Sequence, residues 1–331
     1  MDRTLELVRL LADGGCHSGE AIAGELGITR AGVWKVMVRV REQLGLAVES
    51  VRGRGYRLAA PLEFLDGGRI LEALAAEGQP PLARLEIHDQ IDSTNARLMA
   101  EAWAGAPSGT ACLAERQTAG RGRRGRIWIS PFGTNLYLSL LWRYPLAPAA
   151  LGGVSLAAGV AVARVLRDVG ASELTLKWPN DLLWQRRKLG GILLEVAGEA
   201  QGPSFLVAGL GINLRMPADQ GRVIDQPWTD LAGILGDRLP GRNVLAARLI
   251  AALCSALERY GQQGLEPFLA DWDTFDGLRG ERVRLRLGER VIEGTYTGIA
   301  PDGALHLATV EGVQSYHAGE VSLRPVEGPA L

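Results

Sequence analysis

Cysteine and histidine are scarce in this chain. Its three cysteines, Cys16, Cys112 and Cys254, lie far apart and are odd in number among 331 residues, which speaks against a disulfide framework or a zinc knuckle. The four histidines, His17, His88, His306 and His317, show no ligand spacing. No protein-held transition metal is therefore expected, and any metal should arrive with a nucleotide. An excess of one charge is lacking too, since 36 Lys and Arg face 37 Asp and Glu. A long apolar run is also missing: residues 151–163 form the longest nearly uncharged stretch, which ends at Arg164, short of the roughly 20 residues that span a bilayer. Residues 1–10 mix acids and bases without an apolar signal core. The expectation is a cytoplasmic protein that does not use the membrane. What is present is 47% hydrophobic and 22% charged residues, enough for two or three globular domains with a sizeable core.

The near-neutral total conceals a basic patch. Between residues 30 and 57, Arg30, Lys35, Arg39, Arg41, Arg52, Arg54 and Arg57 face only Glu42 and Glu49, a local excess of five positive charges. Such a patch is an electrostatic footprint for nucleic acid. The same region reads as three helices and a hairpin. The first helix stops at Gly14-Gly15, the second runs over residues 18–26, and Thr29 caps a third marked by Ala31, Val33, Val36, Val38 and Val40. Short strands at residues 48–51 and 56–58 flank Arg52-Gly-Arg-Gly55. A winged helix-turn-helix over residues 1–60 is expected, with Ser18, Thr29, Arg30, Trp34, Lys35, Arg39, Arg52 and Arg54 toward DNA. The alternative is a helical cap with a solvated basic face.

A linker at residues 59–62 leads to a second segment, residues 64–276. Strands are expected at 85–88, 111–116, 135–141, 174–178, 191–196 and 205–214, and helices near 94–103, 149–169 and 244–260. Runs of consecutive strands favour α+β with a mixed sheet. A third segment, residues 277–326, alternates strands with turns such as Pro301-Asp-Gly303 and suits a small SH3-like β-barrel.

The chemistry concentrates in a few motifs. Residues 116–126 carry five arginines, three glycines and no acid. Glycines let a backbone approach a ligand, and guanidinium forks match phosphate and carboxylate oxygens. The loop therefore implies anion clamping, although RNA-binding tails use similar runs, and it fits neither a P-loop nor a dinucleotide fingerprint. Lys177-Trp-Pro-Asn-Asp181 and Lys188-Leu-Gly-Gly-Ile192 place two lysines on strands either side of a short hairpin. Asp92-Ser-Thr-Asn95 opens a helix, as a plain cap or as a polar ligand site.

In this order, together with Gly209-Leu-Gly-Ile-Asn213, His17-Ser-Gly-Glu20, Gly53-Arg-Gly-Tyr56 and Gly319-Glu-Val-Ser-Leu-Arg324, the motifs resemble the bifunctional biotin protein ligases that double as biotin-operon repressors. The resemblance implies synthesis of biotinyl-5′-AMP from biotin and ATP, and transfer of biotin to one lysine of biotin carboxyl carrier protein. It implies Lys188, Arg121 and Arg123 as catalytic cations, and Ser93, Thr94, Asn95 and Gln117 as hydrogen-bond partners of biotin. Gly120, Gly122, Lys177, Asn180, Asp181 and Asn213 complete the implied biotin and adenylate site. Trp128 belongs either to a wall over the site or to an ordinary strand core; Trp228 either stacks on adenine or packs in the core. Magnesium would ride with ATP, with Asp181 a candidate to meet it. Operator DNA and an adenylate-bound homodimer are the implied regulatory partners. Two features depart from the family pattern: Trp34 stands where a polar residue often sits, and Gly190 where some relatives have alanine, which should be tolerated. A lipoate protein ligase and a non-catalytic regulator sensing a small acid are the competing readings.

Overall fold

Two hydroxyls decide where the second and third helices begin. The computed structural model describes residues 3–78, 80–317 and 321–325. In it α1 (Arg3–Leu11) precedes α2 (Gly19–Leu26), whose N-cap Ser18 accepts a hydrogen bond from the Ala21 N–H at 3.0 Å. Gly27 ends α2 in the left-handed conformation that costs glycine nothing sterically. Thr29 then accepts from the Gly32 N–H at 3.1 Å and starts α3 (Arg30–Arg39), which a π-helical turn extends over Val40–Leu44. The wing is β1 (Val48–Val51) paired antiparallel with β2 (Gly55–Leu58). Gly55 is required there because a Cβ would meet the His17 carbonyl oxygen at 2.1 Å, where β2 passes the entry of α2. The expected winged helix-turn-helix is present. Its core takes in buried Phe132 from outside the head, with Leu62 and Phe64 packed against it.

The central sheet holds β3 (Arg84–His88), β4 (Thr110–Ala114), β5 (Leu136–Tyr144), β6 (Leu174–Lys177), β7 (Asp181–Trp184), β8 (Arg187–Gly198) and β9 (Ser204–Ile212) in the order β3-β4-β5-β9-β8-β7-β6. Only β3 and β4 run parallel, so the sheet is mixed, as expected for α+β. The helices are α4 (Gly67–Ala76), α5 (Thr94–Trp103), α6 (Val154–Asp168), α7 (Ala218–Gly221), α8 (Leu231–Leu235), α9 (Arg242–Gln263) and α10 (Leu269–Phe275). A large core joins α6 and α9 to the sheet, while Leu98 and Ala102 of α5 pack with Cys112, Leu141, Phe205 and Val207 in a separate cluster. Strands covered on both faces carry near-continuous apolar runs, and every residue of β4 is buried. Several elements escaped the sequence reading: α4, capped by Asp66, the short β7, and the helices α7, α8 and α10. The expected helix over residues 149–169 is divided, because Gly153 at φ +78° separates a 3-10 turn from α6.

That region also corrects an expectation about length. The 21 residues Pro148–Asp168 are long and apolar enough to cross a membrane, yet 67% of their most apolar window is buried inside the protein. The helical part of the stretch, α6, is a core helix.

The third segment is an antiparallel sheet of β10 (Arg282–Leu287), β11 (Arg290–Ile299), β12 (Leu305–Thr309), β13 (Gly312–Tyr316) and β14 (Val321–Pro325), ordered β13-β12-β11-β10-β14. Val283, Leu285, Tyr296, Leu305 and Leu307 point into the large core shared with the central domain. The Trp178 indole N–H donates to the Gly303 carbonyl at 3.1 Å. Gly319 and Glu320 of the terminal motif lie outside the described residues.

Candidate active site

Ser93 caps α5, its hydroxyl accepting from the Ala96 N–H at 3.4 Å, so the cap reading of Asp92-Ser-Thr-Asn95 is correct as far as it goes. The next two residues do more. The Thr94 N–H and hydroxyl both donate to Gln117 Oε1, at 2.9 and 3.1 Å. Asn95 donates through Nδ2 to Glu195 at 2.8 Å and to the Leu193 carbonyl at 3.2 Å. Ser139, on β5, lies with its hydroxyl 2.6 Å from Asn95 Oδ1 and 2.7 Å from Thr94 Oγ1. Thr94 and Asn95 thus meet at one buried hydroxyl, that of Ser139, which the sequence reading missed, and Gln117 joins the cluster through Thr94.

The Arg/Gly loop is a small hairpin laid beside this cluster. The Thr118 and Ala119 N–H groups donate to the Ile91 and Asp92 carbonyls at 2.8 and 2.9 Å, and the Trp128 N–H closes onto the Gly120 carbonyl at 2.9 Å. Gly120 is obligatory, since a Cβ would stand 2.8 Å from the Trp128 carbonyl oxygen and 2.9 Å from Ser130 Oγ. Gly122 donates to the Arg126 carbonyl at 2.7 Å. Arg121 is exposed and Arg123 half-buried, with Nη1 3.4 Å from Asn180 Oδ1. Burial lowers the Arg123 pKa, with the Asp181 carboxylate opposing.

Across from the loop, two ammonium groups converge on one carboxylate. Lys188 Nζ lies 2.5 Å from Asp181 Oδ1, and Lys177 Nζ 3.2 Å from Oδ2. Burial pushes the Asp181 carboxyl up, but the charges and hydrogen bonds of Lys188 and Lys177 hold it below its ordinary value. The lysines sit on β6 and β8, flanking β7, so they span a three-stranded meander and not one hairpin. Lys188 Nζ is 5.7 Å from the centre of the Trp128 ring. The Lys188 N–H donates to the Pro227 carbonyl at 2.8 Å, and the Thr229 N–H to the Lys188 carbonyl at 2.9 Å, which brings Trp228 alongside.

Two glycines of β9 carve the remaining space. A Cβ on Gly209 would stand 2.0 Å from Asn95 Oδ1, and one on Gly211 2.6 Å from the Trp128 ring. Trp128 is therefore seated against the sheet, with its indole N–H buried and lacking a hydrogen-bond partner among the described residues. Trp228 covers Gly221 in the same manner, at 2.1 Å from a built Cβ. Asn213 is buried and ties β9 to the Trp228 segment through Nδ2 to the Thr229 carbonyl at 3.1 Å. Gly190 does not bear out the expectation that alanine is tolerated. A Cβ there would meet the Gly211 carbonyl oxygen at 2.7 Å, so the strand pairing would have to shift.

On the head, Arg30, Trp34, Lys35 and Arg39 are exposed on α3, Arg52 and Arg54 in the wing turn, and Ser18 and Thr29 at the two caps. Away from both sites, Glu86, His88 and Cys112 bring ligand atoms within 4.8 Å of one another, a group that linear spacing did not reveal. Arg84 and Arg97 already engage Glu86, and burial pushes the Cys112 thiol up to about 12, so the cluster disfavours a cation.

Family models match in all three segments: the Biotin/lipoate A/B protein ligase family over residues 87–213, the Biotin protein ligase C terminal domain over 279–324, and an HTH domain over 3–57. The chain is 43% identical over 325 residues to the bifunctional ligase/repressor BirA of Escherichia coli (strain K12), covering 98% of each protein. It belongs to the biotin protein ligase family. It is also 37% identical over 245 residues to the biotin–[acetyl-CoA-carboxylase] ligase of Mycobacterium tuberculosis, which corresponds to 72% of this chain and 88% of that protein. A solved biotin protein ligase from Aquifex aeolicus, in complex with biotin and ATP, superposes with a TM-score of 0.62 at 31% identity over 74% of this chain and 100% of that one. The chain is thus a biotin protein ligase with a helix-turn-helix DNA-binding domain, as in the bifunctional ligase/repressors, and the lipoate and sensor readings fall away.

Proposed function

We propose that the chain activates biotin with ATP and transfers it to a lysine of biotin carboxyl carrier protein in the cytoplasm, and that the adenylate also governs binding of a homodimer to operator DNA. The observation that carries the reading is the convergence of Lys188, Lys177 and Arg123 on Asp181 and Asn180, beside an Arg/Gly loop and the Thr94–Gln117 cluster.

In the first step a biotin carboxylate oxygen bonds to the α-phosphorus of ATP, and the bond to pyrophosphate breaks. Negative charge grows on phosphoryl oxygens, and Arg121, Arg123 and Lys188 supply the positioned cations. In the second step the neutral lysine amine attacks the acyl carbon, AMP leaves, and the amine proton is lost. Ser93, Thr94, Asn95 and Gln117, with Ser139 behind them, pair with the ureido group of biotin. A pocket built from such groups rejects analogues that leave them unpaired. Gly120 and Gly122 admit the ligand to the backbone, Trp128 walls the pocket, and Asn213 positions the segment whose Trp228 faces the adenine. Lys177, Asn180 and Asp181 orient the cations. Magnesium does not fit Asp181, because both its oxygens are engaged by ammonium groups; the metal would be carried by the nucleotide, and no protein step runs through it.

Contacts between head and ligase domain support the regulatory half. Arg116, at the root of the loop, donates to the Gln43 carbonyl. A Cβ on Gly45 would stand 2.7 Å from Gln220 Nε2, on the segment leading to Trp228. Phe132, shortly after the loop, packs in the core of the head. Adenylate that reorders either segment therefore acts next to the end of the recognition helix, and linkage makes the effect reciprocal. The test is an anisotropy titration on DNA upstream of biotin synthesis genes, with and without biotin and ATP, paired with sedimentation. Tighter binding and dimer formation with the ligands are expected; identical curves would leave an uncoupled head.

A further inference from the structure

We propose that Trp34 reads thymine, through apolar contact with the C5-methyl group of an A·T pair in the major groove, and so sets the sequence preference of the head. The inference rests on the DNA-binding reading above. Trp34 is 64% exposed, which is unusual for the largest apolar side chain on a folded surface, and it is absent from the packed core of the head. Val33, Val36 and Met37 form the buried face of α3. Ala31 and Trp34 are exposed and Val38 half-buried, one above the other at helical spacing.

The composition of the helix restricts how it can read bases. In the sequence RAGVWKVMVR no residue of α3 is an amide, a hydroxyl or an acid. The bidentate contact from Asn or Gln that specifies adenine is therefore unavailable on α3. Arg30, Lys35 and Arg39 can meet guanine edges or phosphates. Lacking an amide, this helix is best suited to distinguish an A·T pair through the thymine methyl, and Trp34 is the large apolar group on its exposed face. The flanking cations make the polyanion the complementary occupant of this apolar strip, and exposed Arg52 and Arg54 extend that charge into the wing.

The probe is duplex DNA selected from a random pool by the full-length protein with biotin and ATP, then resynthesised with uracil replacing each thymine in turn. Uracil keeps the base pair and removes only the methyl. Wild type should lose roughly fourfold in affinity at one position per half-site, the equivalent of one buried methyl group. Trp34→Ala and Trp34→Asn should lose that sensitivity, and Trp34→Ala should accept other pairs there. Their salt slope should be unchanged, because no phosphate-binding cation has been removed. Pyrophosphate release should stay at the wild-type level in both variants, which reports that the fold is intact. Uracil insensitivity of the wild type, or full methyl sensitivity in Trp34→Ala, overturns the inference while leaving DNA binding in place. Unchanged DNA binding with loss of self-association would assign the exposed face to a second copy of the chain. Failure of the wild type to select any sequence removes the DNA-binding reading itself, and this inference with it.

Discussion

Replacing Lys188 with alanine should slow adenylate formation by about 10²- to 10³-fold. The side chain is only 17% exposed, and its ammonium shares Asp181 with Lys177. A unit positive charge about 4 Å from a developing phosphoryl charge contributes about 4 kcal/mol at an effective dielectric constant of about 20. That is close to a thousandfold and sets the upper end; competition from Asp181 for the same ammonium lowers it. Other preorganised donors lose about 2.7–4 kcal/mol when removed. Lys188→Met is the companion variant, since it keeps apolar contact with Trp128 while removing the charge. The assay is single-turnover formation of biotinyl-5′-AMP at saturating biotin and ATP, with biotin affinity measured separately. Both variants should lose rate with little change in biotin affinity, because the charge acts on the phosphoryl group. A loss below about threefold in both, in folded protein, would refute the role given to Lys188.

Other outcomes follow from the same geometry. Arg123→Ala should slow pyrophosphate release by roughly 10²-fold, for it removes the half-buried guanidinium of the loop; a near-wild-type rate would take it out of the mechanism. Gly209→Ala should raise the KM for biotin and cost roughly 1–3 kcal/mol of stability, because its Cβ would displace Asn95, 2.0 Å away; unchanged KM and melting temperature would contradict this. Asp181 has a folded pKa below its ordinary value of 3.8, so its contribution is complete above that value and is lost as the pH falls through the lower folded one. Asp181→Asn should therefore flatten the acid side of a plot of melting temperature against pH, and an unaltered acid limb would deny the coupling. Hydrogen exchange across residues 119–126 should slow when biotinyl-5′-AMP binds, since the loop combines glycines with mutually repelling arginines; equal rates with and without ligand would refute ordering.

The parts of the site legible in the sequence were those whose chemistry lies in contiguous runs. The Arg/Gly loop, the two lysines and the Asp92–Asn95 turn each carry their residues within a few positions, and the structure brings them together. Ser139 was hidden because its partners, Thr94 and Asn95, lie 45 and 44 residues away and meet it only across α5 and β5. A trace of it was present: it is the one aliphatic hydroxyl in β5. Gly190 was misjudged for a similar reason. Its constraint comes from the Gly211 carbonyl on a neighbouring strand, and strand order is set by packing and not by local pattern. The head was more readable because caps, turn glycines and basic residues act locally; what stayed invisible was Phe132 entering its core.

The most direct measurement is pyrophosphate release from ATP by the purified chain with biotin, with lipoate and with neither. Release that requires biotin, with lipoate no better than the blank, is the expected result. Release with lipoate at the rate seen with biotin, or none with either acid, would contradict the assignment of this site to biotin activation.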